Sequence, residues 1–271
     1  MNRSWTRSVA VLFVLTAARA GAQPWQGAAG HGSVGTTFTT LRTTQLATPD
    51  GTDVEIPRFA RQELVVSGSY AATDRVVILA AATVLAHTSI QAFDSAGGIG
   101  DLRFGAQVSL GQLGPWALAV RGIAQAPTGD AGLGFGLLPT GTGAWEGDTV
   151  FSIGRPLAPR LFVFGEAGYH VRGAGLRDSF VFNSQLGVSA TSRLTLGWNL
   201  RGVQPFDTGP IGTTLASASG LGDGVTFIAY GPSAALRLNG AWSLLGGIDG
   251  GFHTKNLAAG AAYHAGLVYA R

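Results

Sequence analysis

The chain contains no cysteine among its 271 residues, which excludes a disulfide framework and a thiolate metal site. Charge is scarce too. Asp, Glu, Lys and Arg make up 12% of the chain, about half of the roughly 25% usual in a soluble domain. No apolar stretch of the roughly 18 residues that a membrane helix needs follows residue 22. The formal charge of +3 comes from 18 basic and 15 acidic residues, but Arg3, Arg7 and Arg19 all lie in residues 1–22, where no acid occurs. Without that segment 15 bases face 15 acids, and the neutral chain gives no reason to expect a nucleic-acid partner.

Glycine is abundant, with 42 residues, yet hydrophobic residues reach 46% and the mean hydropathy is +0.26. That hydrophobic share argues against disorder. Low charge, positive hydropathy and the lack of a spanning helix suit a β-barrel whose outer face meets lipid. Residues 1–22 have the order of an export signal. Arg3 and Arg7 precede the apolar run Ser8 to Ala17, and Ala20-Gly21-Ala22 offers small residues before Gln23. Cleavage after Ala22 would leave residues 23–271 as one outer-membrane β domain.

Beyond residue 30 the dominant period is two, as in strands. Asp101, Arg103, Gly105, Gln107 and Ser109 alternate with Leu102, Phe104, Ala106, Val108 and Leu110. Leu194, Leu196, Trp198 and Leu200 likewise oppose Arg193, Thr195, Asn199 and Arg201. Strands are expected at 32–45, 58–71, 75–87, 99–110, 115–126, 147–155, 160–172, 179–190, 193–205, 224–238, 241–252 and 258–270. Short links (Ala72-Thr73-Asp74, 111–114, 156–159, Thr191-Ser192, Asn239-Gly240) alternate strictly with long ones (46–57, 88–98, 127–146, 173–178, 206–223, 253–257). That succession predicts an all-β fold: a closed, antiparallel, up-and-down transmembrane β-barrel of about twelve strands, with both termini periplasmic. Trp116, Trp242, Tyr70 and Tyr269 flank the short-turn end, and Phe180, Phe206 and Phe252 the other, as two aromatic girdles require. Two places fit less well. Pro232 removes a ladder donor inside the tenth strand, which calls for a bulge or break near Gly231-Pro232. The third strand is apolar on both faces, with only Thr83 and His87 to mark an inward side.

Four short motifs occur in order: Gly98-Ile99-Gly100-Asp101, Pro127-Thr128-Gly129-Asp130, Gly141-Thr142-Gly143 and Gly165-Glu166-Ala167-Gly168-Tyr169. The order resembles the outer-membrane proteins grouped under the "MetA pathway of phenol degradation" name, transporters distantly akin to the fatty-acid transporter barrels. The resemblance spans residues 95–205. It implies passage of small, hydrophobic or aromatic solutes across the outer membrane, in a barrel surrounded by outer-membrane lipid and inserted by the barrel-assembly machinery. That machinery reads a terminal aromatic, whereas this chain ends Tyr269-Ala270-Arg271, with the aromatic two residues early.

Projecting the period-two faces inward gives a lumen set of Glu63, Arg103, Gln107, Arg121, Gln125, Glu166, His170, Arg172, Asn183, Gln185, Asn199, Arg201, Arg237, Asp249, His253 and His264. Arginine outnumbers acid in this set. One reading is a constriction that orients polar or anionic groups of a solute; the other is that Glu166 and Asp249 pair with arginines to make a charged interior tolerable. Residues 23–32, or the glycine-rich loop 128–144, are candidates to fold inward and narrow the pore. Catalysis has little support, because no G-x-S-x-G elbow and no H-E-x-x-H motif occurs. No catalytic residue, cofactor or metal is therefore expected. Asp50, Asp53 and Glu55 lack the spacing of a calcium loop, and Gly132-x-Gly134-x-Gly136 lacks the strand-to-helix context of a nucleotide site. A structural or adhesive barrel without a solute path is the alternative to a channel.

Overall fold

The computed structural model describes residues 28–132 and 138–271; the expected signal segment lies outside them. The described residues form fourteen strands and one helical turn. The strands are β1 (Gly32–Ala47), β2 (Asp53–Ala71), β3 (Val76–Ile90), β4 (Asp94–Gly98), β5 (Leu102–Leu113), β6 (Trp116–Ala126), β7 (Glu146–Ala158), β8 (Leu161–Arg172), β9 (Ser179–Ser189), β10 (Leu194–Pro205), β11 (Thr226–Arg237), β12 (Trp242–Lys255), β13 (Leu257–Ala259) and β14 (Ala262–Ala270), and α1 is Leu215–Ala218. Two pairs are single staves that are interrupted. β4 and β5 both pair with β3, and β13 and β14 both pair with β1. Every neighbour is antiparallel, and β1 also pairs with β2, so a barrel of twelve staves closes on itself. Closure removes the sheet edges, the one arrangement in which strands satisfy every backbone group inside lipid.

The alternation sorts side chains to two faces. Phe38, Ile78, Phe104, Val108, Leu186, Trp198, Ile248 and Tyr263 are large apolar residues that stand exposed at positions around the barrel. A soluble protein rarely exposes so continuous an apolar surface, whereas a lipid-facing band consists of it. Aromatics gather at both ends. Trp242 and Tyr269 lie 5.1 Å apart at the short-turn end, and at the long-loop end Tyr169 stacks on Phe206 at 5.0 Å and Tyr230 meets Phe252 at 5.6 Å.

The apolar interior is small. Leu41, Phe59, Ala258 and Ala262 cluster below the long loops, and Ala71, Val77 and Leu79 cluster at the short-turn end with Ile123 against them. The second cluster accounts for the doubly apolar third strand: Val77 and Leu79 are part of the interior packing. The inward assignment of His87 is corrected. Leu64 pairs with Leu85 and Val65 with Thr83, so a bulge at Val84 changes the parity of β3. Beyond it Thr88 is buried opposite Arg61, while His87 pairs with Gln62 on the outer face.

Pro232 sits in a strand that stays continuous with β10, where it pairs with Trp198. Toward β12 the ladder steps from Tyr230–Gly250 to Ser233–Gly247 in unchanged register. No bulge forms there, and the lost donor is confined to one side. The bulge on this pair lies at the other end, between Thr226 and Ile228. Three expected long links also prove shorter: β1 and β2 extend into 46–57, β3 and β4 into 88–98, and β12 and β13 into 253–257, the last two around tight turns where Ala92 (φ 60°) and Asn256 (φ 56°) take left-handed backbone.

Leu200 faces outward near the middle of β10. Replacing it by arginine should cost about 2–4 kcal/mol of stability at the bilayer midplane, measured by denaturant unfolding in lipid vesicles. Unchanged stability would place this face outside the membrane.

Candidate functional site

The inward face carries a network of charged and amide groups. Arg121 Nη2 lies 3.1 Å from Glu166 Oε1, and Glu166 also accepts from Asn183 Nδ2 (3.3 Å) and Ser152 Oγ (3.4 Å). Arg201 Nη2 meets Asp249 Oδ2 at 2.9 Å, with His264 Nδ1 at 3.9 Å on the same oxygen. Arg61 pairs with Glu63 two residues along β2. Asn199 links staves by accepting from Gln185 (2.9 Å) and donating to Ser233 Oγ (2.9 Å). Arg121 and Glu166 stand on β6 and β8, on either side of β7, and Arg201 and Asp249 on β10 and β12, on either side of β11, so each charge meets its opposite across one intervening stave. That arrangement makes ionised groups tolerable away from water.

A second cluster lies nearer the long loops. His170 stands between two carboxylates, with Nδ1 2.5 Å from Asp148 Oδ1 and Nε2 3.6 Å from Glu146 Oε2. Arg172 Nε donates to Glu146 Oε1 at 2.7 Å, while its two terminal nitrogens donate to the carbonyls of Gly222 and Leu221 at 2.8 Å each. Arg172 thereby ties loop 206–225 to the barrel wall. Asn256 Nδ2 holds the same loop by donating to the Asp223 carbonyl at 2.8 Å.

The motif residues converge on the neighbouring loop. Asp101 Oδ1 accepts from Gly129 N (3.0 Å), and Oδ2 from Thr142 N (2.8 Å) and Gln125 Nε2 (3.0 Å). Thr128 Oγ1 donates to the Gly100 carbonyl at 2.8 Å. The glycines permit this approach, because a side chain at Gly129 would come within 2.7 Å of the Gly141 backbone and 3.0 Å of Gly100. Gln125 joins this knot to the lumen, accepting from Arg103 Nε (2.7 Å) and donating to Glu146 Oε2 (2.9 Å). Leu138, Pro139 and Thr140 of the loop are buried. Outside the lumen, Asp178 accepts from the Tyr169 hydroxyl (2.5 Å) and the Arg172 N–H (2.8 Å). Those bonds, the hydroxyl first, hold its carboxyl below the ordinary value. A depressed carboxylate stabilises at neutral pH, and that contribution is lost as the pH falls through the depressed value.

Beneath the loops is a cavity of about 40 Å³. Glu146, Asp148, His170 and Arg172 form one side of its lining, and Val181, Val203, Val225 and Phe227 contribute an apolar side. A water molecule needs roughly 10–15 Å³ by such a measure, so the space holds a few waters and no aromatic ring.

A family model described as "Putative MetA-pathway of phenol degradation" matches residues 21–267. The chain belongs to that family. Its fold is that of a crystallised outer membrane channel from Pseudomonas putida F1, with a TM-score of 0.69 at 14% identity, covering 92% of this chain and 98% of that one. The NanC porin aligns with a TM-score of 0.57 at 7% identity over 87% and 98% of the two chains. The translocator domain of autotransporter NalP from Neisseria meningitidis aligns at 0.50 and 11% identity over 90% and 89%. These structures are a channel, a porin and a translocator domain, and they share the barrel fold of this chain. No curated protein matches the chain.

Within this family member, the residues projected inward are distributed unevenly. Arg103, Arg121, Gln125, Glu166, His170 and Arg172 are joined by the bonds described, as are Asn183, Gln185, Asn199, Arg201, Asp249 and His264. Gln107 is fully buried opposite Arg121. Arg237 shares the parity of Ser233 but is exposed at the end of β11. His253 does not join the network. It lies in the β12 bulge with φ 55° and is exposed, so alternation does not govern its face. The excess of inward arginine is also corrected. Arg61, Asp101, Glu146 and Asp148 belong to the interior and balance the charge. Starting the seventh strand at 147 hid Glu146, and its alternation with Asp148, Val150 and Ser152 was the available signal.

Replacing Asp101 by alanine removes the acceptor of four bonds from separate segments, among them one from Thr142 Oγ1. The expected cost is about 1–3 kcal/mol, together with faster proteolytic cleavage and amide exchange within residues 128–145. Unaltered protection of that loop would show that Asp101 does not pin it. Arg121→Ala leaves Glu166 without its cation and should cost roughly 3–5 kcal/mol in the same unfolding assay, with a smaller loss contradicting a dry ion pair.

Proposed function

We propose that the protein is a narrow outer-membrane channel for passive passage of small, hydrophobic or aromatic solutes, delivered to the outer membrane by a signal cleaved after Ala22. The observation that carries this reading is the two-sided cavity, with Val203 and Phe227 on one side and Glu146, His170 and Arg172 on the other. Such a lining accommodates an apolar body with one polar edge. Mutual neutralisation of the interior charges lowers the field along the axis, which favours small neutral solutes over ions. The matched outer membrane channel and porin support a transport role by analogy of fold. Passage of a ring requires the loops held by Arg172 and Asp101 to move, because the cavity as it stands is too small.

Insertion in this reading falls to the barrel-assembly machinery, with Tyr269 as the outward aromatic near the C-terminus, and outer-membrane lipid surrounds the apolar band. A barrel that is structural or adhesive, without a path, is favoured by one observation: the interior ion pairs fill the section between Gln125 and Arg201. Liposome swelling with small aromatic solutes separates the two. The channel reading expects slow uptake by the wild type and several-fold faster uptake by Arg172→Ala, which frees loop 206–225. A barrel that stays impermeable in that variant, and after removal of residues 23–32, would refute transport.

A further inference from the structure

Charge outside the lumen is separated along the barrel axis. At the short-turn end lie six arginines: Arg75, Arg155, Arg160, Arg193, Arg237 and Arg271. The acid among the described residues there is Asp74, whose Oδ1 already accepts from the Ala29 N–H at 2.9 Å. At the opposite end Asp50, Asp53, Glu55, Asp94, Asp130, Asp178, Asp207 and Asp223 outnumber Arg42, Arg58, Arg177 and Lys255, so that end is net acidic. Among the described residues, none of the six arginines has a carboxylate within ion-pair distance, and all but Arg155 are exposed. Arg155 instead lies over the Trp116 ring, 5.1 Å from its centroid, and its Nε has no hydrogen-bond partner among the described residues.

Their placement follows the rim. Arg75, Arg160 and Arg193 occupy the turns after β2, β7 and β9, Arg237 ends β11, and Arg271 follows β14 beside the start of β1. The turn between β5 and β6 has no arginine in it or beside it, and there Trp116 is the ring that Arg155 covers. Tyr70, Trp242 and Tyr269 share this level as the aromatic girdle, the depth at which lipid headgroups begin. A globular partner would need a patch on one side, whereas a ring of unpaired guanidinium groups at girdle depth matches headgroup phosphates arranged around a barrel. Short turns face the periplasm in outer-membrane barrels.

We infer that this rim is a binding collar for anionic phospholipid headgroups, of the phosphatidylglycerol type, in the periplasmic leaflet. Guanidinium groups donate to phosphate oxygens, and the acidic opposite end repels the same lipids. The barrel is thereby held at a fixed depth and orientation. This inference does not depend on a solute path.

The test is lipid titration of the detergent-purified full-length barrel, read by native mass spectrometry, with phosphatidylglycerol and phosphatidylcholine of identical acyl chains. The wild type should retain phosphatidylglycerol preferentially, and raising ionic strength from about 50 to 500 mM should abolish the preference, as screening of exposed charge requires. Each neutralised arginine should weaken binding about fivefold, so the triple variant R75Q/R160Q/R193Q should lose on the order of a hundredfold. The variant R42Q/R58Q, at the other end, should bind as the wild type does. Equal retention of the two lipids, a preference that survives high salt, or equal losses in both variants would overturn the collar. The wild-type salt series decides the matter even if the triple variant fails to fold.

Discussion

The structure depends on one constraint: inside a bilayer, every backbone N–H and C=O must be satisfied within the protein. Strands meet it only by closing, and the pairing of β1 with both β2 and β14 completes the ring. Once the ring is closed, each side chain must face either lipid or the interior. Apolar residues such as Phe104 and Trp198 go outward. The charged residues left in a chain with so few are driven into a lumen too narrow to hydrate them freely. Pairing follows as a consequence, and Arg121–Glu166 and Arg201–Asp249 are its clearest products.

The same pairing shapes the long-loop end. Asp101 and Arg172 reach from the barrel wall to loop backbone, Arg172 while keeping its ion pair with Glu146, and each ties one loop to the lumen. The glycines of the family motifs serve this geometry, since Gly100, Gly129 and Gly141 meet backbone to backbone. Three of the four motifs that carry the family resemblance are thus parts of one loop anchor. Loop 206–225 reaches the same region through carbonyls rather than side chains, so no residue type announces it.

Much of this was legible in the residues. Period-two alternation and the succession of short and long links are local properties, and they report the barrel, its twelve staves and the two aromatic ends. Bulges are not local in this way. The shift at Val84 reverses the faces of Thr88 and His87, and the one near His253 releases that residue from the pattern, without any composition cue such as an Asn-Gly turn. Asp148 was missed although its alternation with Val150 and Ser152 was present, because a loop boundary placed beside it hid Glu146 and masked the face. The partners of each inward charge depend on stagger between staves, which strand sequences alone do not specify.

The central claim is a closed barrel with lipid outside and a paired polar lumen inside. The absence of native cysteine permits its most direct test. Single cysteines placed in turn at 102–104 and 106–110 and spin-labelled in lipid vesicles should give a period-two profile, with oxygen accessibility high at 102, 104, 106 and 108 and low at 103 and 107. Accessibility to a water-soluble relaxation agent that is high and uniform along both faces would contradict the membrane barrel.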